Sequence, residues 1–226
     1  MYSVPLVDRS MKGYDIQAKK YLEYINEHRK NVEIAFRNLF FNPVRNLGES
    51  KIFELNFPWE KYINRLEEEI KNHDMSKYSD EEFYAYRAKF NQTEEEKYKY
   101  DNDEEYQKMV DEAFDIGWDH HFRFNYHHPK FWKFVEILSM DGFGIPLQVN
   151  YNFGSENKEI RDMTPIAICH MICDWEAMSI KFSGSTVDWY INKADQERRD
   201  MSENTRKLVK QIMEYLYDVE LPDSVL

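Results

Sequence analysis

An all-α fold, a single-domain helical bundle, is predicted by three observations. Apolar side chains recur at three- and four-residue spacings through most of the chain, strand-like alternation is scarce, and no internal repeat or Pro-rich linker divides the 226 residues. That length supplies one substantial hydrophobic core without demanding a second. One domain over 1–226 is therefore expected, with its core at about 15–192 and a C-terminal helix at 202–217.

Composition narrows the function classes. With 42% hydrophobic and 16% aromatic residues the chain is not of the disordered class, and 32% charged residues describe a well-solvated surface. A net charge of -12 repels duplex DNA and anionic membranes, because phosphate neutralisation needs clustered Lys and Arg. No apolar run approaches the roughly 20 residues that span a bilayer. The opening MYSVPLVDRSMKGYD lacks a basic stretch followed by an apolar core, so a cytoplasmic location is expected.

The elements follow in order. Ile16, Tyr21, Ile25, Val32 and Phe36 form the stripe of a first helix over residues 15 to 40, which stops before Asn42-Pro43. Pro58 suits a first turn, and Tyr62, Ile63, Leu66 and Ile70 then carry a second helix into His73-Asp74. Ser79 followed by Glu82 reads as a capping box opening a third helix through Phe90, with a plain turn serine as the alternative. The acidic stretch Thr93 to Glu105 reads as a solvated connection. A fourth helix, near Glu104 to Phe122, turns Met109, Ala113 and Ile116 inward, and Pro129 starts a fifth through Phe134, Val135 and Leu138.

Residues 141 to 162, with two glycines and a proline in DGFGIP, read as a loop holding at most a short hairpin. The stretch from Thr164 to Phe182, TPIAICHMICDWEAMSIKF, is apolar nearly all round, the pattern of a central buried helix. Its Cys169 and Cys173, the only cysteines, are expected as reduced core thiols, since a disulfide at that spacing restrains little and a zinc site needs more soft ligands. An amphipathic helix over Ser202 to Tyr217 ends the series.

All seven histidines fall at four places: His28, His73, the cluster His120, His121, His127 and His128, and His170. A divalent metal needs neutral imidazoles and ionised carboxylates converging from several elements, which helices can present into a bundle core. His28 lies on or near the apolar stripe of its helix, where a core histidine bonded to a carbonyl is the plainer alternative. His73-Asp74 supplies two adjacent ligands at a helix end, with Lys77 placed to neutralise a phosphate; Asp before a turn is also ordinary capping chemistry. The segment WDHHFRFNYHHPKFW sets four histidines among aromatics, and His121 and His128 would share a face if the helix ran through. Asp174 interrupts an apolar helix, where a carboxylate is costly unless paired or metal-bound. His170, one turn earlier, either joins that site or supports it.

The order of a helical His28, then His73-Asp74, then further histidines, then a late helical Asp174 resembles the HD-domain superfamily of metal-dependent phosphohydrolases. The run HDMSK resembles the HD-x-x-Lys signature of its cyclic-dinucleotide phosphodiesterases, and His121 with His127-His128 resembles their additional histidines for a second metal. Those enzymes carry Gly-Tyr-Pro soon after the paired histidines, whereas here DGFGIP comes later and lacks the tyrosine, so their substrate is not carried over. Over about residues 20 to 190 the chain also resembles an uncharacterised group of HD-like proteins from phages and Gram-positive bacteria. That group shares HD-x-SK, paired histidines followed by Pro and Trp, and CDW-x-AMS.

The resemblance implies an HD-type helical bundle and one or two divalent ions from among Mn, Fe, Co, Ni and Mg. Their ligands would be drawn from His28, His73, Asp74, His121, His127, His128 and Asp174, with Asp74 bridging. Asp74 and Lys77 are the expected catalytic residues, and the expected substrate is a small phosphorylated compound, a nucleotide or cyclic nucleotide, cleaved by metal-activated water. Aromatic side chains could stack on its base, although with 16 Tyr and 15 Phe most must be core. Two other readings use the same residues: a non-catalytic nucleotide sensor, and an interaction module whose acidic 93–105 segment engages a basic partner. The sequence leaves the oligomeric state open.

Overall fold

The computed structural model describes residues 12–41, 59–151 and 159–226. The expectations placed on the extreme N-terminus, on Asn42-Pro43 and on Pro58 lie outside the described residues. The described chain is all-α apart from one hairpin, as expected. None of its helices is long and apolar enough to cross a membrane. Its contacts gather into two compact units, one of residues up to Glu27 with Asp74–Phe124, the other of His28–His73 with Asn125–Leu226.

The first unit takes the opening half of helix α1 (Tyr14–Phe40), a 3-10 turn at Met75–Tyr78, and helices α3 (Asp80–Phe90), α4 (Glu94–Asn102) and α5 (Glu104–Phe124). Tyr21, Ile25 and Tyr86 are its apolar centre, with Phe83, Phe114 and Trp118 packed around them. The face that α5 buries is Val110, Ala113, Gly117 and His121, one residue round from the expected Met109 and Ile116, which are only half-buried. Gly117 decides that rotation. A Cβ there would stand 3.0 Å from Ala85 Cβ and 3.4 Å from the Glu81 carbonyl oxygen, so glycine lets α3 and α5 close on each other.

Two expectations for this unit are corrected. The acidic stretch after Thr93 is not a solvated connection but helix α4, opened by a capping box in which the Thr93 side chain accepts from Glu96 N and the Glu96 carboxylate accepts from Thr93 N. Glu96 is fully buried because its carboxylate also takes both Arg87 Nη1 and Nη2, at 2.7 and 2.6 Å. Conversely, Ser79 caps α3 by backbone position alone, with no side-chain cap bond. Glu82, expected as its capping partner, is directed elsewhere.

The second unit takes the rest of α1, then α2 (Trp59–Lys71), α6 (Pro129–Phe134), strands β1 (Val135–Met140) and β2 (Pro146–Tyr151), and helices α7 (Pro165–Phe182), α8 (Thr186–Asn192), α9 (Asp195–Arg199) and α10 (Glu203–Tyr217). Helix α7 is its centre, buried without interruption from Ile166 to Cys173, and both cysteines are free core thiols. Val32 and Phe36, Leu66 and Ile70, Trp132, Tyr190, and Val209, Met213 and Leu216 belong to the same core. Thr205 Oγ1 accepts from Met163 N at 2.9 Å, tying α10 to the chain just ahead of α7.

The expected fifth helix does not reach Leu138. It stops at Phe134, and Val135–Met140 is a strand whose alternate Val135 and Ile137 are buried, a period of two that a three-residue spacing of Val135 and Leu138 had concealed. Its antiparallel partner pairs Val135 with Tyr151 and Ile137 with Val149. Ser139 then pairs with Gln148, a register shift that leaves Leu138 as the extra, exposed residue. The connecting loop is closed by Asp141, whose Oδ1 accepts from Phe143 N and Ile145 N, and by Gly144 at φ 83. Helices α8 and α9, in a stretch that carries no clear apolar period, were not anticipated.

Candidate metal centre

Within the second unit, four segments bring five histidines and one aspartate together. Helix α1 supplies His28, which occupies a core position in the series Val32, Ala35, Leu39 and is almost fully buried. The end of α2 supplies His73. Arg29 fixes that end, its Nε donating to the His73 carbonyl at 2.9 Å and its Nη2 to the Lys71 carbonyl at 2.6 Å, so a guanidinium satisfies carbonyls the helix leaves open. Helix α7 supplies His170 and Asp174, four residues apart and therefore on one face.

The turn before α6 supplies His127 and His128. The helix does not run through: α5 ends at Phe124, so His121 and His128 share no helical face. Instead Trp132, completely buried, donates from Nε1 to the Tyr126 carbonyl at 2.7 Å, while Pro129 starts α6 at its first turn. The spacing His-His-Pro-x-x-Trp thus describes a turn clamped by the helix that follows it.

The geometry among these side chains is close. His28 Nε2 lies 3.0 Å from His73 Nε2 and 3.0 Å from Asp174 Oδ1, and the third side of that triangle, His73 Nε2 to Asp174 Oδ1, is 3.6 Å. His127 Nε2 stands 4.0 Å from Asp174 Oδ2, and its ring centre is 4.7 Å from that of His73, 4.4 Å from His170 and 4.2 Å from His128. His73 Nδ1 meets His170 Nε2 at 2.9 Å. Ligand atoms within 4.8 Å of one another come from His28, His73 and Asp174, from His73, His127 and His170, and from His127, His128 and Asp174.

This donor set fits a divalent cation. Two donors at about 2.1 Å from one ion lie about 3.0 Å apart at right angles and about 3.4 Å apart at the tetrahedral angle. The two 3.0 Å sides of the triangle of His28, His73 and Asp174 match the first, and its 3.6 Å side needs an angle slightly wider than tetrahedral. One Nε2–H on His28 cannot serve His73 Nε2 and Asp174 Oδ1 at full strength together, whereas a cation would take a lone pair from all three. Imidazole nitrogen with a single carboxylate suits transition ions better than Mg or Ca.

The remaining expected residues, Asp74, Lys77 and His121, lie in the first unit. Asp74 is buried with a left-handed backbone, φ 54 and ψ 29, which costs most side chains energy but is tolerated by Asp and Asn. Its Oδ2 holds Lys77 Nζ at 2.7 Å, and His121 Nε2 stands 3.5 Å from its Oδ1. The partner not anticipated here is Glu82. Completely buried in α3, it accepts from His120 Nδ1 at 2.7 Å and His121 Nδ1 at 2.8 Å. Burial pushes its carboxyl up, but hydrogen bonds from His120 and His121, the charge of His121 and a bond from Ser76 outweigh it and leave the group at about 2.

A family model covers residues 17–216 of this chain, and its description is a family of unknown function, DUF5662. The chain belongs to the DUF5662 family. No curated protein and no solved structure matches this DUF5662 chain. What this DUF5662 protein does is therefore read from the donor set itself. His170, which the sequence left between ligand and support, joins the cluster through His73, its Nε2 meeting His73 Nδ1 at 2.9 Å. Its four-residue spacing from Asp174 was the available signal.

Proposed function

We propose that this protein is a metal-dependent phosphohydrolase of the HD type, acting on a phosphate ester of a nucleotide or cyclic nucleotide. The observation that carries the reading is the buried triangle of His28 Nε2, His73 Nε2 and Asp174 Oδ1. These residues would hold a divalent cation, one of Mn, Fe, Co, Ni or Mg, with His127 and His128 beside them. Such a cation, when bound, supplies Lewis acidity and brings the pKa of water from about 16 towards neutrality.

The protein's own contribution is preorganisation. Asp174, the only carboxylate in this set, offsets the cation's charge, and its side chain keeps 15% of its surface open, so the site is not sealed from solvent. His28 and His73 are closed off from water and set by packing. Asp74 and Lys77 are proposed as catalytic on their chemistry, a carboxylate and an ammonium held as an ion pair in the first unit. Lys77 is the group suited to phosphoryl charge.

The nucleotide part rests on a cleft of about 620 Å³ in the second unit, lined by Trp175, Met178, Phe182 and Trp189 together with Asp188 and Lys193. Its volume lies in the range of small-molecule sites, and its indoles offer π-faces to a base, with an acceptor and a donor among the other lining groups. An interaction module built on the acidic segment is less favoured, since Glu96 of that segment is turned inward to Arg87.

The test is phosphate release by the purified full-length protein from a panel of nucleoside mono-, di- and triphosphates and cyclic nucleotides, with added Mn²⁺. Hydrolysis abolished by Asp174→Asn, and a raised KM for Trp189→Ala, are the expected results. A metal-loaded protein inert towards the whole panel contradicts the enzymatic reading.

A further inference from the structure

Glu82 is a completely buried carboxylate that no helix cap uses. Its two oxygens go to two adjacent histidines of α5, Oε1 to His120 Nδ1 at 2.7 Å and Oε2 to His121 Nδ1 at 2.8 Å. An ionised carboxylate only accepts, so each of these contacts is a hydrogen bond only if the imidazole carries its proton on Nδ1. In the neutral ring, Nε2 is then the lone-pair atom. The packing is consistent with a fixed ring: Trp118 stacks on His121 at 5.6 Å and 27°, and Phe124 on His120 at 4.2 Å and 24°.

We infer that Glu82 is a positioning residue that sets both His120 and His121 as Nδ1–H tautomers, so that His121 offers its Nε2 lone pair beside Asp74 to a divalent cation. His121 Nε2 lies 3.5 Å from Asp74 Oδ1, a separation two donors of one ion would have. His120 is the more open of the two, its side chain 24% exposed against 1% for His121. This is the carboxylate–histidine–metal arrangement, in which the outer carboxylate fixes ring orientation and raises ligand basicity. It extends the metal reading to the first unit, and it rests on that reading only for the cation, not for the tautomers.

The experiment uses full-length ¹⁵N-labelled protein freed of metal with EDTA. Long-range ¹H–¹⁵N correlation of the imidazoles is recorded at about pH 8, above the ordinary histidine range. His120 and His121 are expected as Nδ1–H tautomers in the wild type. In Glu82→Gln the side chain has one acceptor oxygen and one NH₂, so at least one ring must change tautomer. Nε2–H rings in the wild type, or unchanged tautomers in Glu82→Gln, overturn the inference, and the wild-type arm stands even if the variant fails to fold.

Zn²⁺ alone is then titrated into both proteins. Zn²⁺ should shift the His121 Nε2 resonance, with affinity at that position about 10–100-fold weaker in Glu82→Gln. No Zn²⁺-dependent shift at His121 in the wild type overturns the cation assignment. The His28 and His73 resonances report separately on the other centre, so failure there is distinguishable from failure here.

Discussion

His73 and His170 face each other across 2.9 Å, Nδ1 to Nε2. Since His73 Nε2 is already part of the triangle with His28 and Asp174, its proton belongs on Nδ1 when that Nε2 offers a lone pair, and His170 is then the acceptor that holds the tautomer. His170→Ala should therefore weaken metal binding by about 10–100-fold without abolishing it. His28→Ala, which removes a corner of the triangle, should abolish it. Isothermal titration with Mn²⁺ or Zn²⁺ into the stripped protein separates the two, and equal losses would put His170 among the direct ligands.

The Arg87–Glu96 pair gives a prediction on stability. Glu96 is fully buried, and although burial raises its carboxyl, the hydrogen bonds from Arg87 and Thr93 and the Arg87 charge leave it below the usual 4.5. Removing one partner strands the other, so Glu96→Ala should cost about 3–5 kcal/mol. A folded pKa below the unfolded one means that the unfolded chain binds more protons between the two values. The stabilisation is therefore full above about pH 4.5 and fades as pH falls through the folded value. Urea denaturation of wild type and Glu96→Gln should show a gap at pH 7 that narrows with acidification below that point, and a gap independent of pH would contradict it.

Gly117→Val should destabilise the protein by about 1–3 kcal/mol, the usual cost of overpacking. The added atoms begin 3.0 Å from Ala85 Cβ and 3.4 Å from a backbone carbonyl, neither of which can swing aside. Valine's better helix propensity than glycine's recovers only a few tenths of that. Thermal melts decide the sign, and an unchanged or higher Tm would mean α3 and α5 part freely.

The sequence showed most of the helices because their apolar residues recur on one face: Leu66 and Ile70 in α2, and Val209, Met213 and Leu216 in α10, are buried as that spacing requires. It failed where partners distant in sequence decide the outcome. Val135 and Ile137 form a strand because Tyr151 and Val149 pair with them, and no local spacing reveals that partner. The acidic run after Thr93 folds into α4 because Glu96 accepts from Arg87, a contact between elements that charge counting reads as solvent exposure.

The candidate site divides in the same way. His28 and Asp174 were legible because each is a polar residue on an otherwise apolar helical face, where it needs a partner. Glu82 was not. Its three-residue spacing from Ser79 imitates a capping box, while the histidines that bind it lie 38 and 39 residues along the chain. The turn holding His127 was legible only as a cluster, because the Trp132 contact that shapes it becomes visible once α6 is in place.

The most direct measurement of the central claim is the metal content of the purified full-length protein by elemental analysis, alongside His73→Ala and Asp174→Asn. The wild type should carry at least about one transition-metal ion per chain, and both variants should lose most of it while keeping their helical circular dichroism. Asp174→Asn nearly conserves shape, so loss of metal there reports the carboxylate's charge. A folded, metal-free wild type that takes up neither Mn²⁺ nor Zn²⁺ and melts at the same temperature with and without EDTA would contradict the account.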